Sequence, residues 1–325
     1  METPAGLDSV DAEILRMVEE YAPTTLSELA RTAGWSKSML WRRLRKLAAL
    51  GLVELSKRGG ALIVRPREPS TPPPTVKVGI LRASEYPYIL PLASRLRGMF
   101  HRVDLIVYDE ARLLALDLAA GRVHLAMAPL ATLLLAHRLS AGRLHVVGGG
   151  SAGGAYLVRN PEGLGGHATT MASSMELCAE LHGLPGGRVY ARSGEEIAAL
   201  LAGGRVEWGA VWQPYADRLA RLGLEVEDCG LPVCCVLGAH ASLEPLYPRI
   251  SRAMAESVAD ARRGAWDPAA YSRLTGIPVE EVRRTVASYE FLDEPPADVA
   301  RRIWGHLARA ALPPASLGHA FPLNG

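Results

Sequence analysis

The chain has 325 residues, 49% of them apolar and 22% charged, and a formal net charge of +2 at pH 7. That length suits two or three globular domains, and the overall balance gives no sign of a nucleic-acid partner. No apolar segment of signal type follows Met1, and the most apolar stretch, residues 113–139, is broken by Asp117, Arg122, His124 and His137. A secretory signal and a membrane span are therefore excluded as expectations, and a cytoplasmic location is expected.

The first unit is helical. Asp8 or Ser9 can cap a first helix with Ile14, Leu15, Val18 and Tyr21 on its buried face, and Pro23 ends it. Thr25 caps a second helix over 26–32, with Glu28 placed for a capping box. Gly34 makes a turn. Ser36 caps a third helix reaching about residue 50, with Leu40, Leu44 and Leu47 at core spacing and Gly51 as its stop. Residues 52–55 and 61–64 read as two short strands around a glycine-bearing loop at 56–60. Three helices and a hairpin in this order make a winged helix-turn-helix.

Charge is segregated inside this unit. Residues 1–30 hold one base against seven acids, whereas residues 31–67 hold ten bases against one acid. The basic half carries the third helix and the hairpin, the parts that would meet a phosphate backbone. Ser36-Lys37-Ser38-Met39-Leu40-Trp41-Arg42-Arg43-Leu44-Arg45-Lys46-Leu47, followed by Gly51-Leu52-Val53-Glu54, resembles the recognition helix and wing of the MarR/Lrp-like regulators. The resemblance covers about the first fifth of the chain. It implies a third helix in the major groove of double-stranded DNA, with Ser36, Lys37, Ser38, Trp41, Arg42 and Arg45, and Lys57 and Arg58 of the wing, as contact residues.

Residues 69–74 (Pro-Ser-Thr-Pro-Pro-Pro) read as a semi-rigid extended spacer, which divides the chain into a DNA-binding domain at 1–68, a linker at 69–75 and a larger domain at 76–325. Beyond the spacer, strands and helices alternate. Strands are expected at 76–81, 104–108, 123–128, 144–147, 155–158, 167–172, 188–191, 208–212 and 231–237. A helix containing Pro87 and Pro91 follows the loop at 82–86, another spans 111–120, one opens on Pro129 as its first residue, and one starts at Ser173-Ser174. Helices fill the chain from residue 244. The expected class is α/β, in two lobes: 76–160 with 231–325, and 161–230. Helix starts after Ser84, after Ala128 and at Ser173 would face the cleft and suit an anionic or strongly polar group.

Three stretches resemble the type II periplasmic-binding-protein fold, on its nitrate/sulfonate/taurine-binding branch with the relatives used in thiamine-precursor synthesis. They are residues 119–129, with His124 where an acid is usual; the glycine-bearing stretch 148–158; and Val206-Glu207-Trp208-Gly209-Ala210-Val211-Trp212-Gln213-Pro214-Tyr215. Carried over residue by residue, the resemblance implies ligand contacts from Ser84, Pro129, Gly150, Ser151, Ser173, Ser174, Trp212 and Tyr215.

Other signals are weaker. Gly148 to Gly154 lacks the Gly-Lys-Ser/Thr of a phosphate loop. Cys178, Cys229, Cys234 and Cys235 form no Cys-x-x-Cys pair, and a cytoplasmic location argues against disulfides. Cys234 and Cys235 should point to opposite faces of one strand, so a zinc cluster with Cys229 and His240 is not expected. Neither a catalytic set nor a cofactor is expected. The combined reading is a one-component transcription regulator: an operator-binding winged helix, a two-lobed domain sensing a small effector, and a homodimer matched to two half-sites. The alternative is a cofactor-biosynthesis enzyme on the same scaffold with an autoregulatory DNA-binding domain. It predicts a titratable group with a perturbed pKa in the cleft, with Glu85 and His124 as candidates.

Overall fold

The computed structural model describes residues 8–49, 52–58, 60–66, 74–140, 142–294, 299–303 and 305. The chain forms two compact units that divide between residues 71 and 72. Most of the proline-rich spacer and Gly51 lie outside the described residues.

In the first unit, helices α1 (Ser9–Tyr21), α2 (Leu26–Ala33) and α3 (Lys37–Ala49) pack with strands β1 (Thr24–Thr25), β2 (Val53–Arg58) and β3 (Ala61–Pro66), the sheet running β1-β3-β2. Capping follows the sequence. Asp8 caps α1 and forms a capping box with Asp11, Thr25 and Glu28 do the same for α2, and Ser36 accepts from the Met39 amide at the start of α3. Ile14, Val18, Leu29, Leu40, Leu44 and Leu47 meet Val53 and Val64 in the core. Tyr21 does not join them. It sits in the last turn of α1, 47% exposed, while Met17 fills the face. The strands of the hairpin are also longer than expected, because β2 runs on to Arg58, which pairs with Ala61 of β3, while Gly59 lies outside the described residues.

The Asp11 carboxyl is fully buried, yet it accepts from Arg43 at 2.8 Å and Lys46 at 2.5 Å, both on α3. Burial pushes its pKa up, but the Lys46 and Arg43 bonds outweigh that and hold it below the usual carboxylate range. The stabilisation is thus complete above about pH 4 and is lost as pH falls through the lower folded value. Asp11→Asn should cost this unit roughly 2 kcal/mol at neutral pH. It should also flatten the acid limb of its stability curve. Urea unfolding followed by tryptophan fluorescence at pH 7 and pH 3 checks both; a wild-type acid limb in the variant would contradict the assignment.

The second unit opens with β4 (Thr75–Leu81), α4 (Ile89–Leu96), β5 (Arg102–Tyr108), α5 (Ala111–Ala119), β6 (Leu125–Pro129), α6 (Leu130–Leu139) and β7 (Leu144–Gly153). It crosses to β8 (Ala155–Arg159), β9 (His167–Thr170), α7 (Ser174–Leu181), β10 (Arg188–Ala191), α8 (Gly194–Ala202), β11 (Trp208–Trp212), α9 (Tyr215–Arg221) and β12 (Glu225–Asp228). It returns through β13 (Cys235–His240), α10 (Tyr247–Arg262), α11 (Pro268–Thr275), α12 (Val279–Thr285) and β14 (Tyr289–Leu292). Lobe I holds the sheet β14-β7-β13-β6-β4-β5, and lobe II holds β10-β9-β11-β8-β12.

The boundaries shift in four places. β8 pairs with β11 and β12, so it lies in lobe II although the sequence reading ended lobe I at residue 160. Residues 231–234 cross between the lobes and join neither sheet, so the strand expected at 231–237 starts at Cys235. Pro129 ends β6 and caps α6 instead of opening it. Pro87 lies in the turn before α4.

Candidate functional site

On α3 the core residues Leu40, Leu44 and Leu47 fix which side faces solvent. Ser38, Trp41, Arg42 and Arg45 then fall at i, i+3, i+4 and i+7, on one exposed face with Lys37 beside them. Trp41 is 37% exposed and stays out of the core, with the Arg45 guanidinium 5.9 Å from its ring centre. The same helix carries Arg43 and Lys46 on its flank, but these are held by Asp8 and Asp11. The acidic start of the chain thus occupies the flank and leaves the face cationic. Ser36 spends its hydroxyl on the α3 cap. Lys57 is exposed on the wing; the side chain of Arg58 lies outside the described residues.

In the second unit the lobes meet through hydrogen bonds across the cleft. Trp212 Nε1 donates to the Arg82 carbonyl at 3.2 Å, Thr132 to the Ala172 carbonyl at 2.6 Å, and Ser174 to the Cys234 carbonyl at 3.3 Å. At the rim, Arg218 of α9 grips Glu281 of α12 with two bonds of 2.8 and 2.9 Å, and Arg284 reaches Asp217 at 2.9 Å. Paired guanidinium–carboxylate bonds of this kind fix orientation as well as distance. The cleft is closed, and its remaining space is a cavity of about 30 Å³.

Of the eight residues that the resemblance implies as ligand contacts, Pro129, Ser173, Ser174 and Trp212 line that cavity. The other four proposed residues sit behind the wall. Ser84 is buried and accepts from Thr285 at 2.7 Å. Gly150 lies against the backbone of β13, where a Cβ would come 2.0 Å from the Cys235 carbonyl oxygen. Ser151 donates to Glu85. Tyr215 is 3% exposed in the lobe II core, edge-on to Trp212 with ring centres 5.4 Å apart. Asp109, Thr170, Cys234 and Cys235 also form the wall, unforeseen from the sequence, together with Glu85, which the sequence marked only as titratable. Their sequence positions hold no shared motif.

Amides at two of the expected helix starts already have partners within the protein. Ser173 accepts from the Met175 and Glu176 amides at the start of α7, and the Leu130 amide at the start of α6 donates to the Cys234 carbonyl. No Lys, Arg or His stands among the described residues that line the cavity, whereas Glu85 and Asp109 do. Asp109 is tied to Arg82 at 2.7 Å. Glu85 is buried, and that burial raises its pKa against the bonds it receives. Tyr271 of α11 holds the loop carrying it, donating to the Ala83 carbonyl at 2.6 Å and accepting from the Tyr86 amide at 3.2 Å. His124 is remote: it accepts from the Lys77 amide at 3.0 Å, and burial and the neighbouring His240 lower its pKa.

The cysteines depart from expectation twice. Cys178 of α7 and Cys229 are joined in a disulfide, where reduced thiols were expected. Cys234 and Cys235 do not point apart: their sulfurs lie 3.7 Å from each other, because Cys234 precedes β13 and escapes the alternation of a strand.

Comparison with known proteins agrees with both halves. Residues 7–48 match the AsnC-type helix-turn-helix domain. No curated protein matches the chain. The second unit is similar in structure to the alkanesulfonate-binding protein SsuA from Xanthomonas axonopodis pv. citri bound to MOPS, at 18% identity and a TM-score of 0.59, over 74% of this chain and 95% of that one. It is similar to the periplasmic nitrate-binding protein NrtA from Synechocystis PCC 6803, at 11% identity and a TM-score of 0.59, over 76% and 84%. A ligand-binding component of an ABC-type import system from Staphylococcus aureus, with zinc bound, matches at 16% identity and a TM-score of 0.60, over 76% and 95%. This chain therefore joins an AsnC-type helix-turn-helix domain to an α/β domain with the fold of the periplasmic binding proteins.

Proposed function

We propose that this protein is a cytoplasmic one-component transcription regulator. Its α3 face and wing bind double-stranded operator DNA, and a small polar effector held between the lobes sets the affinity. The observation that carries the reading is the exposed row Ser38, Trp41, Arg42 and Arg45, left cationic because Asp8 and Asp11 hold the neighbouring bases. A homodimer suits it, since operator half-sites are spaced about one helical turn apart and need two recognition helices. Neither a cofactor nor catalysis is part of this function.

The link from cleft to DNA is a differential one: an effector changes operator affinity only as far as it prefers one lobe arrangement. Arg218→Ala with Arg284→Ala removes the grip of α9 on α12 and should open the lobes. Small-angle scattering should show a larger radius, and operator affinity should shift by at least about 5-fold. Open lobes with unchanged affinity would disconnect the cleft from DNA binding. The enzyme reading draws on one observation, the buried Glu85 in the cleft with its raised pKa. No histidine or lysine joins Glu85 among the described residues of the cavity wall; the groups beside it are the Ser151 hydroxyl and the Cys234 and Cys235 thiols.

A further inference from the structure

The floor of the cavity brings together three groups that the sequence keeps far apart. Glu85 comes from the loop after β4, and Cys234 and Cys235 from the return crossing into β13. A carboxylate oxygen and both sulfurs lie within 4.8 Å of one another, and all three side chains are buried. The sulfurs themselves are 3.7 Å apart. Two sulfurs each bonded at about 2.3 Å to a tetrahedral ion of the zinc type stand about 3.8 Å from each other. The spacing is already that of a chelating pair.

The surroundings hold these groups in place. Ser151 donates its hydroxyl to Glu85 and its carbonyl accepts the Cys234 amide at 2.8 Å, so one residue of β7 fixes two of the three. Tyr86 donates its hydroxyl to the Cys235 sulfur at 3.2 Å. Donors of this kind, one shell out, orient metal ligands. Glu85, Cys234 and Cys235 all line the cavity, whose 30 Å³ is room for a single ion or water and too small for an organic metabolite with the lobes closed.

We propose that Glu85, Cys234 and Cys235 form a binding site for one thiophilic divalent cation of the zinc class, with its fourth position open to the cleft. Two sulfurs and one carboxylate select such an ion over magnesium or calcium, which favour all-oxygen sets. On binding, the thiol protons leave to solvent and two sulfur–metal bonds and one oxygen–metal bond form, with no change of oxidation state. The site stands on this geometry alone; that the cation is the effector would rest on the regulator reading.

Cd²⁺ and Co²⁺ added to the full chain, with the Cys178–Cys229 disulfide intact, test the site without any DNA. One equivalent of Cd²⁺ should raise a sulfur-to-metal charge-transfer band, and Co²⁺ should give the visible spectrum of a tetrahedral thiolate site. Cys234→Ser with Cys235→Ser should abolish both signals. Glu85→Gln, close to isosteric, should weaken binding at least about 10-fold while keeping the sulfur band, and Tyr86→Phe should weaken it by a similar factor. If the double serine variant fails to fold, Cys234→Ala alone should still remove the tetrahedral spectrum. No band in the wild-type chain, or an unchanged band in the cysteine variants, overturns the proposal and leaves the regulator reading untouched.

Discussion

Gly150→Ala should unfold the second unit at a temperature roughly 6–12 °C lower than wild type, corresponding to a loss of about 3 kcal/mol. β7 and β13 approach so closely here that a Cβ would stand 2.0 Å from the Cys235 carbonyl oxygen and 2.9 Å from the Val236 Cα. Those neighbours are backbone, paired into the middle of the lobe I sheet, so they cannot swing aside as a side chain would. The register between β7 and β13 is irregular at this point, which already places Val236 against Gly150 and Leu237 against Gly148. Gly187 gives the contrast. Nothing lies within 4 Å of a Cβ there, so Gly187→Ala should stay within about 0.5 kcal/mol of wild type. Calorimetry on both variants separates the explanations: equal small effects would mean that the glycine-rich stretch is not held by strand contact. Because Cys235 forms the cavity floor, Gly150→Ala should also weaken anything bound in the cleft.

Arg42→Ala with Arg45→Ala should weaken operator binding at least about 10-fold at physiological salt and lower the slope of log affinity against log salt by about 2. Both side chains are exposed on the α3 face and neither is claimed by an acid among the described ion pairs. Arg43→Ala is the informative control. Arg43 lies on the same helix but bonds Asp8 and Asp11, so its loss should lower the stability of the first unit and change the salt slope little. Fluorescence anisotropy across a salt series, paired with urea unfolding, reads both quantities. A DNA defect in Arg43→Ala as large as in the double variant would mean that charge alone, and not the exposed face, governs binding.

Local chemistry was legible in the sequence. Thr25 with Glu28 announces α2, Ser36 announces α3, and the spacing of Leu40, Leu44 and Leu47 places the exposed side of α3. The charge split across the first 67 residues was equally readable. What it hid is that part of the positive half is held by the negative half, since Asp11 meets Arg43 and Lys46 only after residues 32 and 35 positions apart fold together. The cleft was legible as a place and not as a chemistry. Helix starts facing a cleft suggest an anion, but Ser173 and the Cys234 carbonyl already occupy amides there. Glu85, Ser151, Cys234 and Cys235 converge from three segments, and no spacing rule links them. The strand rule that separated the two thiols failed because the pair straddles the start of β13, where alternation has not begun. The disulfide joins residues 51 apart through tertiary packing alone.

Selection from a pool of random duplex DNA by the full chain decides whether this protein reads an operator. The expected result is enrichment of a sequence with two related half-sites about one helical turn apart, bound by wild type and by Gly187→Ala and lost with Arg42→Ala and Arg45→Ala together. Failure to enrich any sequence over the pool, or an enriched sequence bound equally well by the double arginine variant, would contradict it.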